Sequence, residues 1–209
     1  MSLAESRPQQ DCPARGRPRS EAVERAILEG AMKLLEDGVP LADLSIERIA
    51  RTAGVGKATI YRRWSDKEDL FVDVLRAAEP EDPELPGTSV RDDFVMLLES
   101  QRRRGLATRS SAILHNVYAQ MKSSPKIWAA YHATVVAPRR RIGREVLRRG
   151  LENGELRRDV DIDLLHDMLV GPMLVRSLLR PDAPLEEGLA EQIVDTVLEG
   201  LRPVSSPGV

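Results

Sequence analysis

Cysteine and long apolar runs are almost absent from this sequence. Cys12 is the only cysteine among the 209 residues, which excludes an intrachain disulfide and a cysteine-based metal cluster. No run of about 18 apolar residues is present, and the N-terminus lacks the apolar core of a signal peptide. We therefore expect a soluble, cytoplasmic protein with no membrane partner and no cofactor.

Aromatic residues are also scarce, at 3% of the chain, so aliphatic side chains must supply most of the packing. Charged residues make up 31%. A sequence rich in leucine, alanine and charge, with little alternation of β-branched residues, favours an all-α fold. The length allows one large or two small domains whose cores need no disulfide or metal.

The net charge of −2 gives no sign of nucleic-acid binding, but the charge is unevenly distributed. Five basic residues stand against one acidic residue between positions 45 and 64, and four against one between positions 7 and 19. Local positive charge on a nearly neutral protein indicates a surface that binds phosphates.

The stretch 45–64 predicts two short helices that meet at a glycine turn. Ser45 is a suitable N-cap for the first helix, and Gly54 suits the left-handed conformation in which helices often end. In the second helix we expect Ala58 and Ile60 to pack inward. The residues left for the outer side are basic, hydroxylated or aromatic, and a helix of this kind fits the DNA major groove: Lys57, Thr59, Tyr61, Arg62 and Arg63.

Residues 1–19 are predicted to form a disordered, basic N-terminal arm, because they are rich in proline, arginine, glutamine and serine. The sequence RGRPR at 15–19 is similar to an AT-hook core, whose arginines enter the narrow minor groove of A·T-rich DNA. A solvated basic tail is the alternative. Next to two groove-binding helices we favour the minor-groove role, with Arg15 and Arg17 as the contacts.

The remaining pattern predicts further helices and one domain boundary. Periodic apolar residues indicate a helix at 20–37 and another that starts at Ser65 or Asp66. An acidic, proline-containing linker at 79–87 separates a domain at 20–79 from one at 88–203. Pro138 should kink or split the longest helix of the second domain. The helices of that domain are expected at 88–104, 107–121, 124–152, 161–179 and 185–201.

The order of these parts, together with IARTAGVGKATIYRRW at 49–64 and KEDL at 67–70, resembles the TetR family of bacterial transcriptional regulators. The resemblance is specific over about 20–75, a third of the chain. The sequence departs from the family pattern at two places. Trp64 stands where many members have phenylalanine, and the loop 38–44 is slightly longer than usual. The resemblance implies an all-α fold with an N-terminal three-helix helix-turn-helix domain and a C-terminal helical ligand-binding and dimerisation domain.

The resemblance also implies which side chains contact DNA. Lys57 and Arg63 are the candidates for reading guanine, because both reach its O6 and N7 acceptors. Tyr61 and Lys67 are the best candidates for phosphate contacts, while Tyr61 and Thr59 have a packing role in the second helix as their alternative. The full set implied by the resemblance is Ser45, Lys57, Thr59, Tyr61, Arg62, Arg63 and Lys67.

In this family the last two helices form a two-fold dimer, and the middle helices enclose an inducer pocket. The segments 161–179 and 185–201 fit the first role, since each has apolar residues on more than one face. The pocket candidates come from the three middle helices, with ordinary core packing as the alternative for each: Leu97, Gln101, Leu114, Val117, Tyr118, Met121, Trp128, Tyr131, His132 and Val135.

These implications lead to one expected function and two alternatives. The expected function is that of a DNA-binding transcriptional repressor, released from a near-palindromic double-stranded operator by a small-molecule inducer. The first alternative is an architectural DNA-binding protein without a ligand, which would bind mainly through its arm. An enzyme is disfavoured, since His115, His132 and His166 are scattered and the chain has no glycine-rich phosphate loop or nucleophile motif.

Overall fold

The computed structural model describes residues 17–120, 122–180 and 182–200, and the regular structure of these residues is entirely helical, which confirms the predicted all-α class. Residues 1–16 of the predicted basic arm, including Arg15, lie outside the described residues. The rest of the arm, from Arg17, belongs to the first helix. No described helix combines the length and the hydropathy that a membrane crossing requires. In chain order the described residues form ten α-helices: α1 (Arg17–Glu36), α2 (Ile46–Thr52), α3 (Lys57–Tyr61), α4 (Lys67–Ala78), α5 (Val90–Leu106), α6 (Thr108–Gln120), α7 (Pro125–Tyr131), α8 (Ala137–Glu152), α9 (Ile162–Leu178) and α10 (Leu189–Glu199).

Two short segments are helical without being α-helical. A 3-10 turn (Leu41–Asp43) leads into α2, and a π turn (His132–Val136) joins α7 to α8. Pro138 lies directly after the π turn, at the start of α8. A proline has no N–H and its ring clashes with the carbonyl four residues earlier, and a widened turn accommodates both. The irregularity predicted at Pro138 is therefore a π turn within a continuous helical run from 125 to 152.

The last helix begins later than its apolar spacing predicts. We expected it to start at 185, but α10 begins at Leu189, directly after Gly188 with a φ of 84°. A residue in the left-handed conformation does not belong to a right-handed helix. Leu185 nevertheless packs against the hydrophobic core from the preceding loop, which explains why its spacing resembled that of the helix.

The described residues form two hydrophobic cores, and the first of them crosses the linker. It joins α1–α4 to α6, α7 and the π turn, and Ile27, Phe71 and Ile113 are each at most 1% exposed within it. The second core joins α5 to α8, α9 and α10 around Phe94 and Leu169. The helix-turn-helix therefore shares its packing with α6 and α7, although α5 separates these helices from it in the chain.

Polar contacts strengthen the junction between the helix-turn-helix and the helices behind it. The backbone N–H of Leu41 in the 3-10 turn donates to Oδ1 of Asn116 on α6 at 2.8 Å. The hydroxyl of Ser124, just before α7, donates to the carboxylate of Glu68 on α4. The two contacts thus attach the elements on either side of α2 and α3 to the pair of helices α6 and α7.

A buried carboxylate attaches the end of the linker to the second core. Asp93 on α5 has no exposed surface and accepts a hydrogen bond from the N–H of Gly87 at 2.8 Å. The guanidinium of Arg149 on α8 donates to the same carboxylate. A buried charge is tolerated in a protein core when it is paired and hydrogen-bonded in this way.

Gly54 permits a test of the turn between α2 and α3. Its φ of 67° lies in the left-handed region, and a Cβ there would meet no atom within 4 Å. We expect Gly54→Ala to lower the free energy of unfolding by about 1–2 kcal/mol, because L-amino acids avoid this backbone conformation. Urea unfolding followed by circular dichroism measures the change.

Gly56→Ala is the matched control for this substitution. Gly56 precedes α3 with a φ of −77°, and a Cβ there would also meet no atom within 4 Å. Alanine adopts this extended conformation without strain, so the free energy of unfolding should change by less than about 0.5 kcal/mol. A loss at Gly56 as large as that at Gly54 would contradict the role assigned to the φ of Gly54.

Candidate nucleic-acid interface and internal cavity

Capping and burial hold α2 and α3 in a fixed arrangement. The hydroxyl of Ser45 accepts from the backbone N–H of Arg48 at 3.2 Å and caps α2 as the sequence predicted. On the inner side of the second helix, Ile60 and Trp64 are buried. The indole N–H of Trp64 donates to Asp73 on α4 at 2.9 Å. The outer side of α3 is therefore presented on a well-anchored element.

The outer side of α3 carries Lys57, Ala58, Tyr61 and Arg62, all of which are exposed. Residues at this spacing lie on one face of a helix. Tyr61 is 56% exposed, an unusual position for a large aromatic side chain. The prediction that Ala58 packs inward was wrong, because Ile60 and Trp64 already supply the buried side.

Lys57 forms an exposed ion pair with Glu47 of α2, with a distance of 2.5 Å between Nζ and Oε1. The hydrogen bond to Glu47 raises the pKa of the Lys57 ammonium, which stays charged. Exposed pairs of this kind contribute little to stability. Lys57 can therefore exchange Glu47 for a phosphate or a base at small cost.

Arg63 contacts the start of α1. Its guanidinium donates to the hydroxyl of Ser20 at 3.0 Å, to the carbonyl of Ser20 at 3.2 Å and to the carbonyl of Thr59 at 3.2 Å. Arg63 and Thr59 are both half-buried, unlike the neighbouring Arg62. Arg63 thus connects the second helix of the helix-turn-helix to the helix that follows the basic arm.

Lys67, at the start of α4, is likewise engaged by the protein. Its ammonium donates to the carbonyl of Ala42 at 3.0 Å and lies 5.7 Å from the ring centroid of Phe71. Burial lowers the pKa of Lys67. These contacts place its charge beside the 3-10 turn, next to the exposed Ser45 at the start of α2.

A partly open cavity of about 350 Å³ lies among the helices behind the helix-turn-helix, a size suited to a small molecule. Its wall is built by α5, α6, α8 and α9, with the end of α7, the π turn and the linker after α4. Most of the wall is apolar, and charged side chains cluster on part of it. Six of the predicted pocket residues line it: Leu97, Gln101, Leu114, Tyr118, Tyr131 and Val135.

Two family models match the chain in the same order as its parts. Residues 27–74, from α1 to α4, match the model of bacterial regulatory proteins of the tetR family. Residues 86–197, which are more than half of the chain, match the tetracyclin repressor-like C-terminal domain. The chain belongs to the TetR family. It is a DNA-binding transcriptional regulator, a class of protein without enzymatic activity.

Individual TetR relatives match over nearly the whole chain. The transcriptional regulator YdeS of Bacillus subtilis is 29% identical over 195 residues, which cover 92% of this chain and 96% of YdeS. The DNA-binding transcriptional repressor TetR of Mycobacteroides abscessus is 28% identical and covers 88% of this chain and 94% of its own length. The crystal structure of the TetR family regulator SCO0332 is 29% identical, with a TM-score of 0.57, and covers 87% of this chain and 99% of its own.

NalD of Pseudomonas aeruginosa, the secondary repressor of the MexAB-OprM multidrug efflux pump, has the same TetR fold. Its TM-score is 0.67 at 18% identity, and the alignment covers 90% of this chain and 100% of NalD. At this identity the similarity shows the fold alone.

Three of the pocket candidates that the structure describes do not line the cavity. Val117 is buried in the first core, and Trp128 packs against that core with its ring centroid 5.7 Å from that of Tyr118. His132 is exposed, and Met121 lies outside the described residues. The reason is helical geometry, because α6 turns one face to the cavity and the face with Val117 to the helix-turn-helix.

The sequence analysis missed the charged part of the TetR cavity. Arg104 and Arg139 lie in its wall with Glu79 and Asp82 of the linker, and His166 lines it from α9. The acidic linker and the arginines after Pro138 are evident in the sequence. Their pairing is not, because the bonded partners are 57 and 60 positions apart in the chain. His166 is 8% exposed, and its Nδ1 has no hydrogen-bond partner among the described residues. Burial lowers the pKa of this imidazole.

Of the described residues in the last two helices, those with exposed large apolar side chains belong to α9 and its C-cap. Four of its exposed side chains are large and apolar, from 42% to 75% exposed, and they share one side of the helix: Leu164, Met168, Val175 and Leu179. On α10 the apolar residues are turned to the second core, and the exposed residues are polar. Among the described residues of α10, Val197 and Leu198 are half-buried.

Proposed function

We propose that this regulator is a repressor that binds a near-palindromic operator as a homodimer and is released by a small-molecule inducer. The observation that carries the proposal is the double contact of α6. Leu114 and Tyr118 on this helix line the cavity, while Ile113 and Val117 pack in the core of the helix-turn-helix. A ligand that displaces α6 therefore acts on the elements that hold α3.

For the DNA contacts, we assign the exposed face of α3 to the major groove. Tyr61 and Arg62 are the main contacts, and Lys57 joins them when it leaves Glu47. The methyl group of Ala58 is suited to a thymine methyl. The remaining contacts are proposed to position the protein on the backbone or in the adjacent minor groove: Ser45, Thr59, Arg63, Lys67, Arg15 and Arg17.

The exposed apolar side of α9 supports the homodimer. Leu164 and Leu179, at its two ends, are 61% and 75% exposed, and such a continuous apolar surface is typical of a protein contact. A second copy covers it in a two-fold arrangement, with the polar outer side of α10 at the rim. We assign residues 20–79 to DNA binding and residues 88–203 to ligand binding and dimerisation.

A salt titration tests this function against that of an architectural DNA-binding protein. A high-affinity duplex is first selected from random DNA with the full chain, and its affinity is compared with that of a scrambled duplex by fluorescence anisotropy. We expect the selected duplex to bind about 1,000-fold more tightly or better. Both affinities should decrease linearly with salt on logarithmic axes, because bound cations are released from the phosphates.

An architectural protein would show the same salt dependence without preference between the two duplexes. Equal affinity across the salt series would therefore contradict the repressor assignment. A selected duplex without two related half-sites would contradict the dimer.

A further inference from the structure

The charged part of the cavity contains two arginines that share one carboxylate. The guanidinium of Arg139 on α8 donates to Asp82 at 2.9 Å and to Glu79 at 2.8 Å. Arg104 on α5 also faces Asp82, but its nearest nitrogen is 3.5 Å away. Its hydrogen bond goes to the neutral hydroxyl of Ser100 at 2.8 Å. Arg139 is therefore much better compensated than Arg104.

Burial increases the difference between the two arginines. The side chain of Arg104 is only 12% exposed. Burial, followed by repulsion from Arg139, lowers the pKa of the Arg104 guanidinium. Burial acts in the same direction on Arg139, but the hydrogen bond to Asp82 and the attraction of Glu79 raise its pKa overall. Arg104 is thus a buried cation in the cavity wall whose charge is only partly neutralised.

The rest of the cavity is largely apolar, apart from Gln101, His166, Ser177 and the ion pair of Arg140 with Asp167. It is lined along α5 from Phe94 to Gly105 and along α9 from His166 to Ser177, which corresponds to about 17 Å of helix in each case. The phenol of Tyr131 belongs to the charged end, and burial raises its pKa, so it remains a neutral donor. The apolar wall between the ends consists of Phe94, Leu97, Leu98, Leu114, Val170 and Leu174.

We propose that the cavity binds an amphipathic acid, whose carboxylate pairs with Arg104 and whose apolar body lies along α5 and α9. This inference rests on the proposed function, in which the cavity is the effector site. A neutral head group leaves Arg104 undercompensated, and a cationic head group would have to displace Arg139 from Asp82 and Glu79. A carboxylate supplies the missing charge and accepts the remaining donors of the guanidinium.

The same carboxylate acts on the linker. Asp82 and Glu79 follow α4 directly and are held by Arg139. An additional negative charge beside Arg104 repels Asp82 and competes for the positive charge that holds it. The bound acid therefore weakens the attachment of the linker to α8 and changes the position available to α4.

The proposal is tested with decanoate and decanol, which have the same apolar chain and differ in charge. Their affinities for the full chain are measured by isothermal titration calorimetry. We expect decanoate to bind about tenfold more tightly than decanol, the effect of one charge-assisted hydrogen-bonded pair. Arg104→Gln should remove this preference. Arg141→Gln, a change at an exposed arginine of α8, should keep it.

Asp82→Asn keeps the test decisive if Arg104→Gln fails to fold. Removing the competing carboxylate should strengthen decanoate binding about threefold or more and leave decanol unchanged, whereas structural damage would weaken both. The proposal is overturned if the wild-type chain binds the two ligands equally or binds neither. It is also overturned if folded Arg104→Gln retains the preference.

Operator binding separates this inference from the proposed function. Anisotropy of the labelled operator is measured in the same samples. If the chain prefers its operator but does not prefer decanoate to decanol, the acidic effector is contradicted and the repressor assignment stands. A chain without operator preference contradicts the repressor itself. If both hold, decanoate should weaken operator binding of the wild-type chain and have a smaller effect on Arg104→Gln.

Discussion

The double substitution Tyr61→Ala and Arg62→Ala should lower the affinity for the operator by about a hundredfold or more. Both side chains are exposed on α3. Each specific base contact contributes about 1–3 kcal/mol, and a dimer loses every contact in two half-sites. Affinity for the scrambled duplex should decrease much less. Fluorescence anisotropy with both duplexes measures the two effects.

Arg76→Ala is the control for this recognition-helix variant. Arg76 lies on α4, its side chain is 59% exposed, and it pairs with Asp73 on the same helix. Since exposed pairs contribute little, its operator affinity should remain within about twofold of the wild type. Unchanged operator preference in the double variant would exclude α3 as the helix that reads the DNA sequence.

Charge placed on the apolar side of α9 should lower operator affinity by a similar factor, because it should dissociate the dimer. Leu164→Arg combined with Leu179→Arg introduces four like charges into the proposed two-fold interface. Repulsion and the burial of unpaired cations should dissociate the dimer. A monomer contacts only one half-site, so we expect operator affinity to decrease by more than about a hundredfold. Sedimentation velocity and anisotropy measure the two consequences.

Leu106→Arg is the control for the charged α9 variant. Leu106 ends a different helix, α5, and is 57% exposed, so its substitution tests the general effect of replacing an exposed leucine by arginine. This control should remain dimeric and bind the operator normally. A dimeric Leu164→Arg, Leu179→Arg variant would show that the two-fold contact lies elsewhere.

The helix-turn-helix was predictable from the sequence because its signals are local. The cap of Ser45, the positive φ of Gly54 and the burial of Ile60 and Trp64 each depend on residues within a few positions. The orientation of Ala58 was not predictable in the same way. A small residue fits either side of a short helix, and only the packing of its neighbours decides between them.

The cavity was predictable in outline but not in its chemistry. Periodicity identified the helices that build it, and for α6 it did not distinguish the face with Leu114 from the face with Val117. The charged end depends on contacts between distant segments, such as that of Arg139 with Glu79. Opposite charges far apart in a sequence have many possible partners, and only the tertiary fold selects one.

The core that α1–α4 share with α6 and α7 also determines how the molecule can open. Local melting of the helix-turn-helix would expose Ile113, Val117 and Ile127 to water, together with the side chains packed on them. The free energy of such a subglobal opening therefore includes the loss of this shared core and not only of the packing among α1–α4. We expect the DNA-binding helices to leave the operator as an intact folded unit, and to resist proteolysis in both the bound and the released state.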